Sequence, residues 1–147
     1  MTLTEDRRRH AGPDRTAPVT TLTEQECLDL LATERLGRLI VVAGDRPDVY
    51  PVNCVVHDGK IYFRSAEGDK LTELTLRPMT TFQVDHADAT SGWSVVIRGI
   101  ARTLVRFDEI NDAEELDLQS WVPTEKFNFV EIRPTESHGR RFVLDRG

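Results

Sequence analysis

Cysteine is scarce: the 147-residue chain holds two, Cys27 and Cys54, without metal-ligand spacing and without a secretory context. Both are expected to be reduced core residues, and no disulfide framework is expected. Long apolar runs are missing as well. Nothing at the N-terminus has signal-peptide character, and no segment approaches the ~20 apolar residues of a membrane span. A cytoplasmic protein without a membrane partner is the expectation. Positive charge is not in excess either, with 19 Lys plus Arg against 25 Asp plus Glu and a formal net charge of −6. That balance argues against nucleic-acid backbones and anionic membrane surfaces as partners, so any anion must bind at a local site. A glycine-rich dinucleotide turn is absent: Ala43-Gly44-Asp45 has one glycine where that turn needs several, which disfavours a Rossmann fold. The serines, Ser65, Ser91, Ser94, Ser120 and Ser137, have no nucleophile-elbow context. His86 stands between Asp85 and Asp88, but these three share one polar loop without a distant partner, so no metal is assigned.

What is present reads as one domain. Residues 1–20 combine Arg7-Arg8-Arg9 with two prolines and little apolar periodicity, the composition of a flexible arm. The single domain is expected over 21–147. Thr23-Glu24-Gln25-Glu26 has capping-box spacing and opens a helix with Cys27, Leu30 and Leu31 on one face and Gly37 as a stop. Arg38 to Ala43 is apolar and β-branched, and Gly44 to Asp48 reads as a loop. Val49 to Val56 and Lys60 to Arg64 flank Asp58-Gly59, a type I′ hairpin signal that makes the two strands antiparallel neighbours. A helix carrying Leu71, Leu74 and Leu76 ends before Pro78. Thr80 to Val84 and Trp93 to Val105 read as strands around a polar loop, Asp85 to Gly92. A helix from about Asp108 to Trp121 and a last strand from Phe127 to Ile132 complete the chain. No internal repeat is found.

Short strands joined mostly by hairpins, with about three helices, predict a mainly β fold: an antiparallel sheet closed into a small barrel with the helices outside. One segment of it has chemistry. Ile61 to Ser65 runs through Gly68 into Lys70 at a helix start, so a hydroxyl, a glycine and a lysine meet the unpaired N–H groups and positive dipole end of a helix. The pattern predicts a phosphate site. Lysine there opposes the helix dipole, which favours a ligand role over that of a plain surface cation, whereas Ser65 serves equally well as a cap.

The order of these segments carries a resemblance. Gly37-Arg38-Leu39, Val49-Tyr50-Pro51-Val52-Asn53, Ile61 to Ser65 with Gly68 and Lys70, and Trp93 to Val96 with Arg98-Gly99 together resemble the pyridoxamine 5′-phosphate oxidase-like flavin-binding split-barrel family. The chain looks closest to small bacterial members that include nitroimidazole-resistance proteins. The resemblance implies a six-stranded split β-barrel and a homodimer with FMN in clefts at the subunit interface. It further implies that Ser65 and Lys70 contact the flavin phosphate, that Pro51, Val52 and Asn53 lie along the isoalloxazine, and that Trp93 and Ser94 close the cleft. Arg64 is a further candidate contact, although strand alternation points it away from Ser65. Gly139-Arg140-Arg141-Phe142 only faintly echoes the substrate-phosphate motif of the vitamin oxidases, so that activity is not expected.

FMN would carry the redox chemistry, leaving the protein to hold the phosphate, to meet the ring edges with hydrogen bonds and to leave room for a small-molecule substrate. Pro51 lacks an N–H and Asn53 offers an amide. Tyr50 and Trp93 are read as packing aromatics. Two further readings stay open. The same barrel could take an 8-hydroxy-5-deazaflavin coenzyme, with Arg38, Arg77 and the N-terminal arginines meeting its polyglutamyl tail. It could also be a non-enzymatic flavin- or haem-binding protein, for which His57 or His86 would have to face the cleft.

Overall fold

The computed structural model describes residues 18–65, 74, 77–118 and 128–144. Among these the chain forms seven strands, β1 (Val19–Leu22), β2 (Leu36–Ala43), β3 (Arg46–His57), β4 (Lys60–Ser65), β5 (Met79–Ala87), β6 (Ser91–Thr103) and β7 (Asn128–Val143). Two helices accompany them, α1 (Glu24–Leu31) and α2 (Phe107–Glu114). Every pairing is antiparallel, in the order β1-β7-β4-β3-β2-β5-β6, and a further β6–β7 pairing closes β2 to β7 into a ring. β1 adds a seventh strand alongside β7, through Val19↔Phe142 and Leu22↔Gly139. The expected count of six is therefore short by one, because Pro18 to Leu22 carries little apolar signal and is ordered by the partner strand it meets.

Local signals explain most boundaries. Thr23 caps α1 in a full capping box: its hydroxyl accepts from the Glu26 N–H at 3.1 Å, and the Glu26 carboxylate accepts from the Thr23 N–H at 2.9 Å. Asp58 (φ 52°) and Gly59 (φ 72°) both occupy the left-handed region, as a type I′ turn demands, and His57 pairs with Lys60 across them. Gly44 and Asp45 alone form the β2–β3 turn, since Ala43 pairs with Arg46; the expected longer loop is strand from Arg46 onward. β5 likewise runs on to Ala87, leaving a short turn in which the Asp88 carboxylate accepts from the N–H groups of Thr90 and Ser91. α2 is shorter than expected and begins after Arg106, which supplies no side-chain cap. The expected helix over Leu71 to Leu76 lies outside the described residues apart from Leu74, which is helical and buried.

β7 departs furthest from expectation, running to Val143 instead of Ile132. Pro134 within it would break a regular ladder, but a register shift falls there: Arg98 pairs with Glu136 and Gly99 with Pro134. The bulge leaves Thr135 over, and its hydroxyl donates to the Arg98 carbonyl at 3.2 Å.

The barrel interior is filled by inward residues of alternating strands, among them Leu39, Ile61, Phe63, Phe82, Val84, Val95, Ile97, Val130 and Ile132, all fully buried. Gly37 belongs to this packing. A Cβ placed there would sit 2.2 Å from Phe82 Cζ, so the ring lies directly on the glycine. A second cluster of Leu104, Ala113, Leu118 and Phe129 joins α2 to the outer side of the barrel. Cys27 and Cys54 are both free and buried, as expected.

Candidate functional site

Strand alternation sorts side chains to two sides of the sheet. In β2, Leu39 and Val41 point inward and Arg38 and Ile40 outward; in β5, Phe82 and Val84 point inward and Gln83 and Asp85 outward; in β6, Val95 and Ile97 point inward and Ser94 and Val96 outward. Registry then sets these outward residues in a line. Pro51 lies opposite Arg38, Arg38 opposite Gln83, Gln83 opposite Val96, and Val96 opposite His138. This row crosses five strands on one open face.

Hydrogen bonds knit its middle. Arg38 Nη1 donates to Gln83 Oε1 at 3.0 Å and lies 3.5 Å from Asp85 Oδ1. Gln83 Nε2 donates to Asp85 Oδ2 at 2.9 Å and lies 3.4 Å from Ser94 Oγ. Arg38 and Asp85 are both close to half exposed, so their ion pair contributes no more than about 1 kcal/mol. Its consequence is geometric: guanidinium, carboxamide and hydroxyl are held side by side on the outer face of the sheet.

The residues singled out from sequence do not all gather here. Pro51 and Ser94 share the outer face with Arg38, and Asn53, two residues from Pro51, opposes Leu36 on that same face. Val52 turns inward, opposite Gly37, and is part of the core. Trp93 is also a core residue, 6% exposed, which is the packing role read from its sequence. Ser65 ends β4 on the inward side, 3% exposed, and Arg64 faces outward as alternation requires. Arg64 donates from Nη1 to the Leu118 carbonyl at 3.1 Å and lies 5.3 Å from the Phe129 ring centroid, so it ties β4 to the segment that follows α2. Lys70, with Gly68, lies outside the described residues.

Gln83 and Asp85 were missed as site residues. Alternation within Thr80 to Val84 places Gln83 outward, but the polar run from Asp85 hid the continuation of the strand. Strand registry brings together a second polar cluster that no local sequence pattern marks. Glu131 of β7, 6% exposed, accepts from the Tyr62 hydroxyl at 3.0 Å and from Arg102 Nε at 3.0 Å, and Arg102 Nη1 lies 2.6 Å from Glu109 Oε2. Burial, then the hydrogen bond and charge of Glu131, push the Tyr62 phenol up to about 12. This cluster joins α2 to the sheet and lies among outward residues of β4, β6 and β7, away from the Arg38 row.

Beside Ser94 the sheet opens into a groove of about 700 Å³ over β1, β6 and β7, which also takes in Val96, His138 and Arg140. The row and this groove are continuous through Val96 and His138.

Comparison with known proteins converges on one family. Residues 23–141 match the family model described as pyridoxamine 5′-phosphate oxidase. A solved protein of Corynebacterium glutamicum assigned to the pyridoxamine 5′-phosphate oxidases is 42% identical, with a TM-score of 0.84 over 92% of this chain and 100% of its own. The FAD binding protein of Mycobacterium smegmatis is 35% identical, with a TM-score of 0.75 over 86% of this chain and 100% of its own. A Bacteroides thetaiotaomicron protein assigned to 5-nitroimidazole antibiotic resistance shares the fold alone, at 13% identity and a TM-score of 0.72 over 86% of this chain and 89% of its own.

Proposed function

The chain belongs to the pyridoxamine 5′-phosphate oxidase family, and from that premise we propose that it is an FMN-binding oxidoreductase acting on a small molecule in a cleft at a homodimer interface, in the cytoplasm. The observation that carries this reading is the outward row of Pro51, Arg38 and Gln83 with Ser94 beside it. Its donors fit the polar edge of an isoalloxazine, which presents carbonyl oxygens and ring nitrogens in one plane. A bound flavin would supply the hydride or electron chemistry. The chain's own part is to orient the ring with Arg38, Gln83, Ser94 and Asn53 and to hold the phosphate with Lys70, whereas the hydroxyl of Ser65, 3% exposed at the inward end of β4, does not meet a ligand on the outer face. Arg64, Val52 and Trp93 support that surface by packing and by fixing the strands on which it is built. The FAD binding relative from Mycobacterium smegmatis supports a flavin ligand.

A second copy suits the same face. Val42, Val49 and Met79 are exposed by 44%, 58% and 59% on the outer side of β2, β3 and β5, close to the polar row. Apolar side chains clustered beside polar, flat-ligand donors are the surface a homodimer covers while enclosing a ligand between its subunits.

The competing ligands find less support. Arg77 donates to the Gly44 carbonyl at 3.2 Å and so does not stand free for a polyglutamyl tail. His57 lines a small pocket beside Tyr62, and His86 Nδ1 lies 3.4 Å from Glu34 Oε1; neither joins the Arg38 row as a haem ligand would have to.

Absorbance spectra of the purified protein with FMN, with FAD and with the deazaflavin coenzyme, read at about 350–480 nm, test the proposal. Saturable FMN binding that weakens about tenfold in Lys70→Ala and in Arg38→Ala supports it. A Soret band, or binding of the deazaflavin alone, overturns the choice of FMN.

A further inference from the structure

Asp85 faces outward on β5, opposite Ser94 of β6 and two residues beyond Gln83. Its two carboxylate oxygens have different partners. Oδ2 accepts from Gln83 Nε2 at 2.9 Å, and Oδ1 lies 3.5 Å from Arg38 Nη1, which itself donates to Gln83 Oε1 at 3.0 Å. Only one orientation of the Gln83 carboxamide closes this triangle, because the reverse would set Nε2 against the Arg38 donor and Oε1 against the carboxylate. Both hydrogens of Arg38 Nη1 are thereby directed toward β5. Among the described residues Nε and Nη2 of Arg38 have no hydrogen-bond partner, so the side-on edge of the guanidinium stays free. Among the same residues Asp85 is also the one carboxylate paired with Arg38. Both side chains are close to half exposed, at 43% and 49%, so the carboxylate offsets the guanidinium charge only in part.

We propose that Asp85 is a positioning residue of the flavin site: through Gln83 and Arg38 it fixes which edge of the guanidinium meets the ring, and by its charge it holds down the reduction potential of the bound flavin. This role rests on the Arg38 row as the seat of the ring in the proposed function. Orientation is the first part of it. With Nη1 occupied, Arg38 meets a ligand through Nε and Nη2, a pair of donors that matches two adjacent in-plane acceptors such as a ring nitrogen and the neighbouring carbonyl oxygen. Charge is the second part. Two-electron reduction leaves a flavin ring anionic at neutral pH, which a lone guanidinium favours and a carboxylate behind that guanidinium opposes. Asp85 therefore weights the site toward the oxidised ring, and it does so without touching the ring.

Two measurements on the full-length protein decide the matter: FMN affinity by fluorescence titration, and the midpoint potential of the FMN-loaded protein by stepwise reduction against a reference dye. Asp85→Asn keeps an acceptor for Gln83 and removes the charge. It is expected to shift the equilibrium about tenfold toward the reduced ring, about 30 mV upward for a two-electron couple, with the Kd for oxidised FMN within about threefold of the wild type. Asp85→Ala removes the acceptor as well, so Gln83 and Arg38 must be ordered by the ligand; the same upward shift is expected, together with about tenfold weaker FMN binding. Should Asp85→Ala fold poorly, Gln83→Met breaks the same hydrogen bond from its other end and should weaken FMN to a similar extent. A carboxylate with a merely structural role would lower the melting temperature and leave the potential where it was. Wild-type FMN binding with a potential unmoved or lowered in Asp85→Asn overturns the role of Asp85 alone, as does FMN affinity unchanged in both Asp85→Ala and Gln83→Met. Failure of the wild-type protein to bind FMN overturns the proposed function and this role with it.

Discussion

Tyr62 and Glu131 face each other across the β4–β7 pair, with the phenolic hydroxyl donating to the buried carboxylate at 3.0 Å. Glu131 is held on its other side by Arg102, so one carboxylate joins three strands beneath α2. Losing one partner of such a group costs more than the bond itself, because the carboxylate is left under-satisfied in a poorly hydrated place. Tyr62→Phe is expected to lower stability by about 1–2 kcal/mol in urea unfolding, with flavin affinity unchanged.

The same contact sets a pH dependence. The phenol of Tyr62 is pushed up to about 12 in the folded protein against an ordinary value of 10.0, so the folded state holds this proton more tightly than the unfolded chain. Its contribution to stability is present in full below pH 10 and is lost as the pH rises through about 12. Ultraviolet difference titration should show one tyrosine ionising late in the native protein, and Tyr62→Phe should remove that late step.

Burial pushes the Cys54 thiol up to about 12 and raises that of Cys27 as well. Thiolate is the reactive form, and neither sulfur is exposed. Iodoacetamide at pH 8 should therefore label neither cysteine in the native protein and both in denaturant. Rapid native labelling of either would contradict the packing described for α1 and β3.

Gly37 is not replaceable by a larger residue without moving Phe82. Gly37→Ala puts a methyl group into the Phe82 ring and is expected to cost about 1–3 kcal/mol. Combined with Phe82→Leu, the alanine should become less harmful, since the obstructing ring is gone. Thermal melts of both single variants and the double variant measure that coupling, and strict additivity would exclude the contact.

The capping box of α1 offers a local test. Thr23→Ala removes the acceptor for the Glu26 N–H and should cost about 1 kcal/mol, seen as a fall in Tm of roughly 3–4 °C. Thr23→Ser should retain most of the stability. α1 covers the barrel at β7, where a Cβ on Gly139 would come within 2.5 Å of Cys27 Sγ, so its loss would also loosen the groove beside Ser94.

The amino-acid sequence by itself determined the features that depend on a few neighbouring residues. Thr23 and Glu26 announced α1, Asp58-Gly59 announced the β3–β4 hairpin, and alternation in β4 put Arg64 and Ser65 on opposite sides. The family was legible in the order of its segments, although the phosphate segment around Lys70 lies outside the described residues. Tertiary structure decided whatever depends on a partner distant along the chain. β1 exists because β7 pairs with it, and Pro134 is tolerated in β7 because a bulge against Arg98 and Gly99 absorbs its missing donor. The alignment of Arg38 with Gln83, 45 residues apart, and of Tyr62 with Glu131, 69 apart, is set by strand registry. Registry follows from which inward faces fill one core, a condition that no local window of residues contains.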